Sequence, residues 1–170
     1  MSHTITAYTP RYLDSAARLY QQVYAVQPYE NHGAFETSRD IIADQTERTD
    51  FIGVVAVDAD DEVIGFAWGY GTPTHNPTIV KTVTKHMGAE WVDNTFMVEV
   101  IGMHFEHMSK DLAADLQNGL EQHVRQNAYD RMRVRLNIPR LDALTESLYE
   151  NGWQKLKGLA HVVWLGKQLS

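Results

Sequence analysis

One carboxylate stands out for its surroundings. Glu99 interrupts the apolar run Phe96-Met97-Val98-Glu99-Val100-Ile101, whose length and β-branched content read as strand. Burial penalises the charged form of a carboxylate, raises its pKa and suits it to take a proton from a nucleophile, directly or through a water. A second reading stands beside that one. The side chain reaches the solvent side of a sheet or pairs with an arginine on the neighbouring strand, since a charge in an apolar strand needs a partner whatever its purpose. Arg131, Arg133 and Arg135 alternate with Met132, Val134 and Leu136, so the three guanidiniums share one strand face. They suit either an anion site or an exposed face paired with surface acids. His104, Glu106 and His107, with His86 or His123 elsewhere, are metal-ligand types. Their spacing is not a reliable ligand spacing and His-Glu-x-x-His is absent, so no metal is expected. No Gly-x-Ser-x-Gly, Walker loop or dinucleotide fingerprint occurs, which leaves Ser109 as a helix cap and not a nucleophile.

The totals narrow the field further. The chain has 170 residues, 44% of them hydrophobic and 22% charged, with a formal net charge of −7. That composition belongs to one globular domain, residues 1–170, with a substantial core. The acidity disfavours non-specific binding to nucleic acid or anionic membranes. The absence of cysteine excludes disulfides, zinc–thiolate sites and thiol nucleophiles. No export signal and no apolar run near the roughly 20 residues of a membrane span are visible, so a cytoplasmic location is expected.

Local patterns supply the elements that position these groups. His3–Tyr8 alternates as a strand, and Thr9-Pro10 reads as an N-cap with proline at the first helical position. Leu13, Ala17, Tyr20 and Tyr24 form a helical stripe, and a weaker helix covers Phe35–Glu47. Phe51–Val57 and Val63–Tyr70 are strands of an antiparallel hairpin. The acidic turn between them, Asp58–Glu62, lacks the glycine of an EF-hand loop. A short helix over Ile79–Trp91 precedes a long central strand, Thr95–Phe105. Ser109–Gln126 is the clearest helix, with Leu112, Leu116, Leu120 and Val124 every fourth residue. After the arginine-bearing strand, Leu141, Leu144 and Leu148 mark a helix stopped by Asn151-Gly152. Trp153–Lys157 and His161–Leu169 close the chain as strands. The order β-α-α-β-β-(α)-β-α-β-α-β-β describes an α/β (α+β) fold, a mostly antiparallel twisted sheet with one βαβ crossover and flanking helices.

That order, together with Phe96–Phe105 leading into the Ser109 helix and with Leu148-Tyr149-Glu150-Asn151-Gly152-Trp153, resembles the GNAT superfamily of acyl-CoA-dependent N-acyltransferases. The second stretch is similar to the family's Leu-Tyr-Glu-x-x-Gly-Phe ending, one residue shorter. The resemblance implies a fourth and fifth strand that splay apart, with the pantetheine of acetyl-CoA between them on exposed backbone at Ile101, Met103 and His104. It implies pyrophosphate binding by Ser109, Lys110, Asp111, Leu112 and Ala113 at the following helix start, where free N–H groups and the helix dipole favour an anion. Asn137, ending the fifth strand, stands in for the family's Asn-x-x-Ala, which here reads Asp142-Ala143-Leu144-Thr145. Glu99 matches a frequent glutamate near the acceptor amine. Tyr149 matches the tyrosine that returns a proton to the departing thiolate, as a phenol of pKa near 10 can; it is alternatively an ordinary packed aromatic. Tyr29 and Glu30 fall in a loop that overhangs the acceptor cleft in the resembling fold and would bind a small-molecule amine, or be plain surface. The loop departs from the family's Arg/Gln-Gly-x-Gly-x-Gly/Ala, since only Ala113 conforms. Asp111 puts a carboxylate where pyrophosphate charge would rest, a cost of about 3 kcal/mol at about 5 Å and an effective dielectric of about 20, partly offset by Lys110. The expectation is an N-acyltransferase acting on a small amine. Its competitor is a GNAT-shaped binding or regulatory module without transfer activity. A dimer that exchanges its last strands fits either.

Overall fold

The computed structural model describes residues 2–24, 35–137, 143–159 and 162–169. Among these residues seven strands, β1 (Thr4–Ala7), β2 (Ile52–Val57), β3 (Val63–Gly71), β4 (Thr95–Met103), β5 (Arg131–Asn137), β6 (Gln154–Leu159) and β7 (Val162–Gln168), make one sheet. Their spatial order is β1-β2-β3-β4-β5-β7-β6. Every neighbouring pair is antiparallel except β4 and β5. Among the described residues five α-helices flank the sheet: α1 (Leu13–Tyr24), α2 (Phe35–Thr46), α3 (Pro77–Met87), α4 (Lys110–Gln126) and α5 (Ala143–Glu150). Helix α4 is the crossover that the one parallel pair requires.

The sheet carries a core on each face. On one, Val54, Phe96, Val98 and Val134 pack with Leu112, Leu116 and Leu120 of α4 and Leu148 of α5. On the other, Val55, Phe66, Trp68 and Val100 pack with Ala16, Leu19 and Tyr20 of α1 and Ile42 of α2. This double covering explains why β2 and β3 read as nearly continuous apolar runs and why all of β3 is buried.

Element ends differ from the sequence reading where local chemistry intervenes. Thr9 makes no side-chain cap; Pro10–Tyr12 forms a 3-10 turn ahead of α1. The Ile79–Trp91 segment is two pieces. Asn76 caps α3, its Oδ1 accepting from Thr78 N at 3.1 Å and Ile79 N at 3.3 Å, and Gly88 at φ +108° separates α3 from a 3-10 turn at Ala89–Trp91. β4 stops at Met103, before a 3-10 turn at Phe105–His107. The glycine stop of α5 stands as expected: Gly152 has φ +83°, and Trp153 N donates to Leu148 O at 3.1 Å. The acidic hairpin turn is tied by its own side chain, Asp58 Oδ1 accepting from the backbone N–H of Asp60 and of Glu62. Among the described residues no helix is long and apolar enough to cross a membrane.

Candidate active site

The sheet opens at its one parallel pair. β4 and β5 are in register only from Thr95 with Arg131 to Val98 with Val134. Beyond that point β5 continues along β7 as far as Asn137 with Val162, while β4 stays with β3 up to Met103 with Gly65. A β-bulge marks the divergence. The β3–β4 register shifts between Trp68, opposite Val100, and Gly69, opposite Val98, so that Glu99 is the extra residue. Gly69 makes this contact possible, since a Cβ there would stand 1.9 Å from Met97 O. The bulge also turns the strand. Val98 lies in the α4-side core and Val100 in the α1-side core, although strict alternation would put both on one face.

Backbone groups alternate along β4 as well. His104 N donates to Ile64 O at 2.8 Å, so the groups of Met103 and Ile101 face away from β3, toward the opening. The His104 amide, expected to face a ligand, is therefore spent on β3. The floor of the opening is a narrow apolar slot lined by Val98, Ile101, Leu120, Met132, Leu148 and Trp153, together with Gln117.

Glu99 is exposed, which corrects the reading of a buried carboxylate and agrees with the one in which its side chain reaches the solvent side of the sheet. The bulge lifts it out of the apolar run. It stands near Tyr70 at the end of β3, and burial, then the Glu99 charge, raise the Tyr70 pKa. Arg48 lies over the Tyr70 ring at 3.4 Å. Burial and then Glu99 likewise raise Tyr20 of α1. Arg133 is the second correction. It is only 1% exposed, not part of a solvated charge face. Its Nη2 donates to Thr72 Oγ1 at 3.0 Å, while its Nε has no partner among the described residues. Burial pulls its pKa down to about 10, against the opposing influence of Glu99 and Tyr70. The other two arginines diverge from it. Arg131 donates to Asp93 O at 3.4 Å and Arg135 lies 5.9 Å from the Trp164 ring centre. Sequence reasoning missed Tyr70, Thr72 and Arg48. The only trace of Tyr70 was the every-second-residue aromatic series Phe66, Trp68, Tyr70, which reads equally well as core.

The start of α4 is built for its own stability. Ser109 Oγ accepts from Leu112 N at 3.1 Å, and Ala113 N donates to Ser109 O at 3.1 Å. The amides of Lys110 and Asp111 remain as donors, beside the Asp111 carboxylate in the first turn. Leu112 and Ala113 are themselves core residues. The Lys110 ammonium is turned to α5, 2.9 Å from both Glu146 and Glu150, and these bonds raise its pKa. It does not offset Asp111. Tyr149, on α5, is 44% exposed, so it is not a packed core aromatic. His104 stacks on Phe105 with ring centres 4.7 Å apart and accepts Glu106 N at Nδ1. Among the described residues no three metal-ligating side chains gather. Tyr29 and Glu30 lie outside the described residues, and so does the side chain of Asn137.

No family model and no curated protein matches this chain in sequence. Solved structures do match it in shape. An aminoglycoside 6'-acetyltransferase type Ii superposes with a TM-score of 0.70 over 97% of this chain and 96% of that one, at 16% identity. A GNAT superfamily phosphinothricin acetyltransferase from Sinorhizobium meliloti, in complex with AcCoA, gives 0.72 over 100% and 90%, at 14% identity. A PaiA N-acetyltransferase from Thermoplasma acidophilum, in complex with coenzyme A, gives 0.68 over 99% and 100%, at 15% identity. The chain has the GNAT fold. Within it lie the β4–β5 fork, Glu99 and the start of α4, to which the resemblance had assigned roles.

Proposed function

We propose that the protein is a GNAT-type N-acyltransferase that moves an acetyl or similar acyl group from acetyl-CoA to the amine of a small molecule. The observation that carries this reading is the fork. A strand with unpaired backbone groups beside an apolar slot offers a flexible chain the hydrogen bonds of a missing strand. Pantetheine fits that edge at Ile101 and Met103.

Glu99 borders the opening as an anionic acceptor. It would attract a protonated amine and take a proton from it, freeing the lone pair with which the nitrogen attacks the thioester carbonyl. Tyr149, exposed on α5, would return a proton from its hydroxyl to the departing thiolate. Tyr29 and Glu30 would contribute to the amine side. The pyrophosphate end fits less well, because Asp111 adds negative charge and Ser109 uses one of the helix-start amides. The coenzyme would then be held chiefly by its pantetheine arm.

Those same features favour a second reading, a GNAT-shaped binding module without transfer activity. Calorimetry and thermal shift with millimolar acetyl-CoA separate the two. Binding and amine-dependent release of coenzyme A support the enzyme, since a ligand at about 100 times its Kd adds about 2.7 kcal/mol of stability. The absence of both heat and thermal shift would leave the module.

A further inference from the structure

A strip of cations borders the open end of the fork. The last registered pair of the β4–β5 seam is Val98 with Val134, so the next residues on the two strands are Glu99 and Arg135. Met132 and Val134 lie in the α4-side core, which turns Arg133 and Arg135 to the α1 side. Glu99 acts on that side as well: after burial, its charge is the next cause that raises the pKa of Tyr20 in α1 and of Tyr70 in β3. Glu99 and Arg135 are both exposed, and among the described residues neither takes part in an ion pair. Two opposite charges thus stand on the two rims of the opening without closing on each other.

Arg135 has cationic neighbours. Its partner on β7 is Trp164, whose own partner on β6 is Lys157, so the three share a face. Arg135 lies 5.9 Å from the Trp164 ring centre, and Trp164 and Lys157 are half-buried. Arg133, one alternation back along β5, adds a buried guanidinium whose Nε has no partner among the described residues. The chain carries 22 acidic residues and a net charge of −7, yet β5, β6 and β7 contain no aspartate and no glutamate. A carboxylate is therefore repelled by the molecule as a whole and drawn to this strip. Coenzyme phosphates do not account for the strip, because α4, whose start is where a pyrophosphate would dock, covers the opposite face of the sheet.

We infer that the acceptor is an aminocarboxylate: its ammonium is drawn to Glu99, and its carboxylate is held by Arg135 with Lys157 and Trp164 alongside. This rests on the acyltransferase reading above and names the substrate class of that same site. A guanidinium suits the role, since its planar fork donates two parallel hydrogen bonds to a carboxylate. Holding the acid end fixes where the amine end lies, beside Glu99 and the thioester. The N–C bond forms as the C–S bond breaks. Glu99 takes one proton from the ammonium, the second proton that nitrogen sheds balances the one the thiolate receives, and the carboxylate is bound but not altered.

The test follows coenzyme A release from acetyl-CoA with the common α-amino acids, 4-aminobutanoate and 6-aminohexanoate, each paired with its own primary amide. Values of kcat/KM are compared per free-base amine, because the two members of a pair differ in amine basicity. The wild type should favour the acid of its best pair by at least about tenfold, the effect of a hydrogen bond to a charged group. Arg135→Gln should bring that ratio near one, Arg135→Lys should restore part of it, and Lys157→Gln should lower it by a smaller factor. A merely structural Arg135 would slow acid and amide alike and leave the ratio intact, which overturns the inference. A wild-type ratio near one overturns it too, while the acyltransferase reading stands. Acetylation of no probe by a protein that binds acetyl-CoA excludes aminocarboxylate acceptors and again overturns the inference alone. Failure to bind acetyl-CoA removes both. Melting temperatures report whether the variants are folded, and the Lys157 variant carries the comparison should those at Arg135 not be.

Discussion

At the scale of the residue, burial and charge part company in an instructive way: the carboxylate in the apolar strand is exposed, while the arginine from the apparently solvated face is buried. Glu99 on its bulge can be changed with little structural cost, because exposed positions outside special features usually shift stability by no more than about 0.5 kcal/mol. Glu99→Gln should therefore leave the melting temperature nearly unchanged and lower kcat/KM for amine acetylation by about 10²- to 10⁴-fold, the usual range for a general base. An equal kcat/KM would remove Glu99 from the chemistry. Tyr149→Phe, also at an exposed position, should lower kcat about 10-fold or more without changing acetyl-CoA affinity. Arg133 behaves differently. A cation that is 1% exposed and has no ion pair among the described residues is poorly compensated, and apolar replacement of buried charges is often neutral or stabilising by about 1–4 kcal/mol. Urea unfolding of Arg133→Met should give a midpoint equal to or above the wild type. A clearly lower midpoint would mean that Thr72 and Glu99 repay its desolvation in full.

At the scale of the element, the start of α4 sets folding against ligand binding. Ser109 satisfies Leu112 N and Asp111 sits favourably in the first turn of the helix, yet both oppose an arriving phosphate. Ser109→Gly combined with Asp111→Gly should cost about 1 kcal/mol of stability and raise acetyl-CoA affinity at least 10-fold, read by denaturation and calorimetry on the same samples. Affinity unchanged by the pair would mean that the pyrophosphate does not approach this helix end. Much of the element level was legible in the sequence. The leucines of α4, the arginine-alternating β5 and the Asn151-Gly152 stop each carry a periodicity or a turn residue that survives folding. The fork was legible only through resemblance. A bulge leaves little local mark, because Gly69, which permits it, lies on the neighbouring strand and reads there as an ordinary strand glycine. Tyr70 and Thr72 stayed hidden for a related reason: strand pairing, not sequence proximity, brings Tyr70 near Glu99 and Thr72 to Arg133. Lys110 was misjudged because its partners Glu146 and Glu150 come from a helix folded back from 36 and 40 residues downstream.

At the scale of the molecule, the open fork leaves the sheet with a weak seam, since β4 and β5 share only four registered pairs. Contacts that bypass the seam hold the halves together. Glu121 is one. It projects from the crossover helix α4 to Lys167 of β7 at 2.5 Å and to Arg125 at 2.6 Å, with its side chain 14% exposed. Burial pushes its pKa up, but the bonds from Lys167 and Arg125 outweigh that and hold it below the usual carboxylate range. Because the folded state binds this proton less readily than the unfolded chain, the stabilisation is complete above the ordinary glutamate pKa of about 4.3 and fades as pH falls through the lower folded value. Glu62, lowered by Ser15 and Arg18, acts in the same direction but from an exposed position, where screening shrinks its effect. Glu121→Gln should thus destabilise the protein by about 1–2 kcal/mol at pH 7, and the gap should close at a pH well below 4. Urea titrations of both proteins at neutral and acidic pH measure it. A gap that persists undiminished into acid would show that Glu121 acts through packing, and that something other than this ion pair fastens α4 to the far side of the fork.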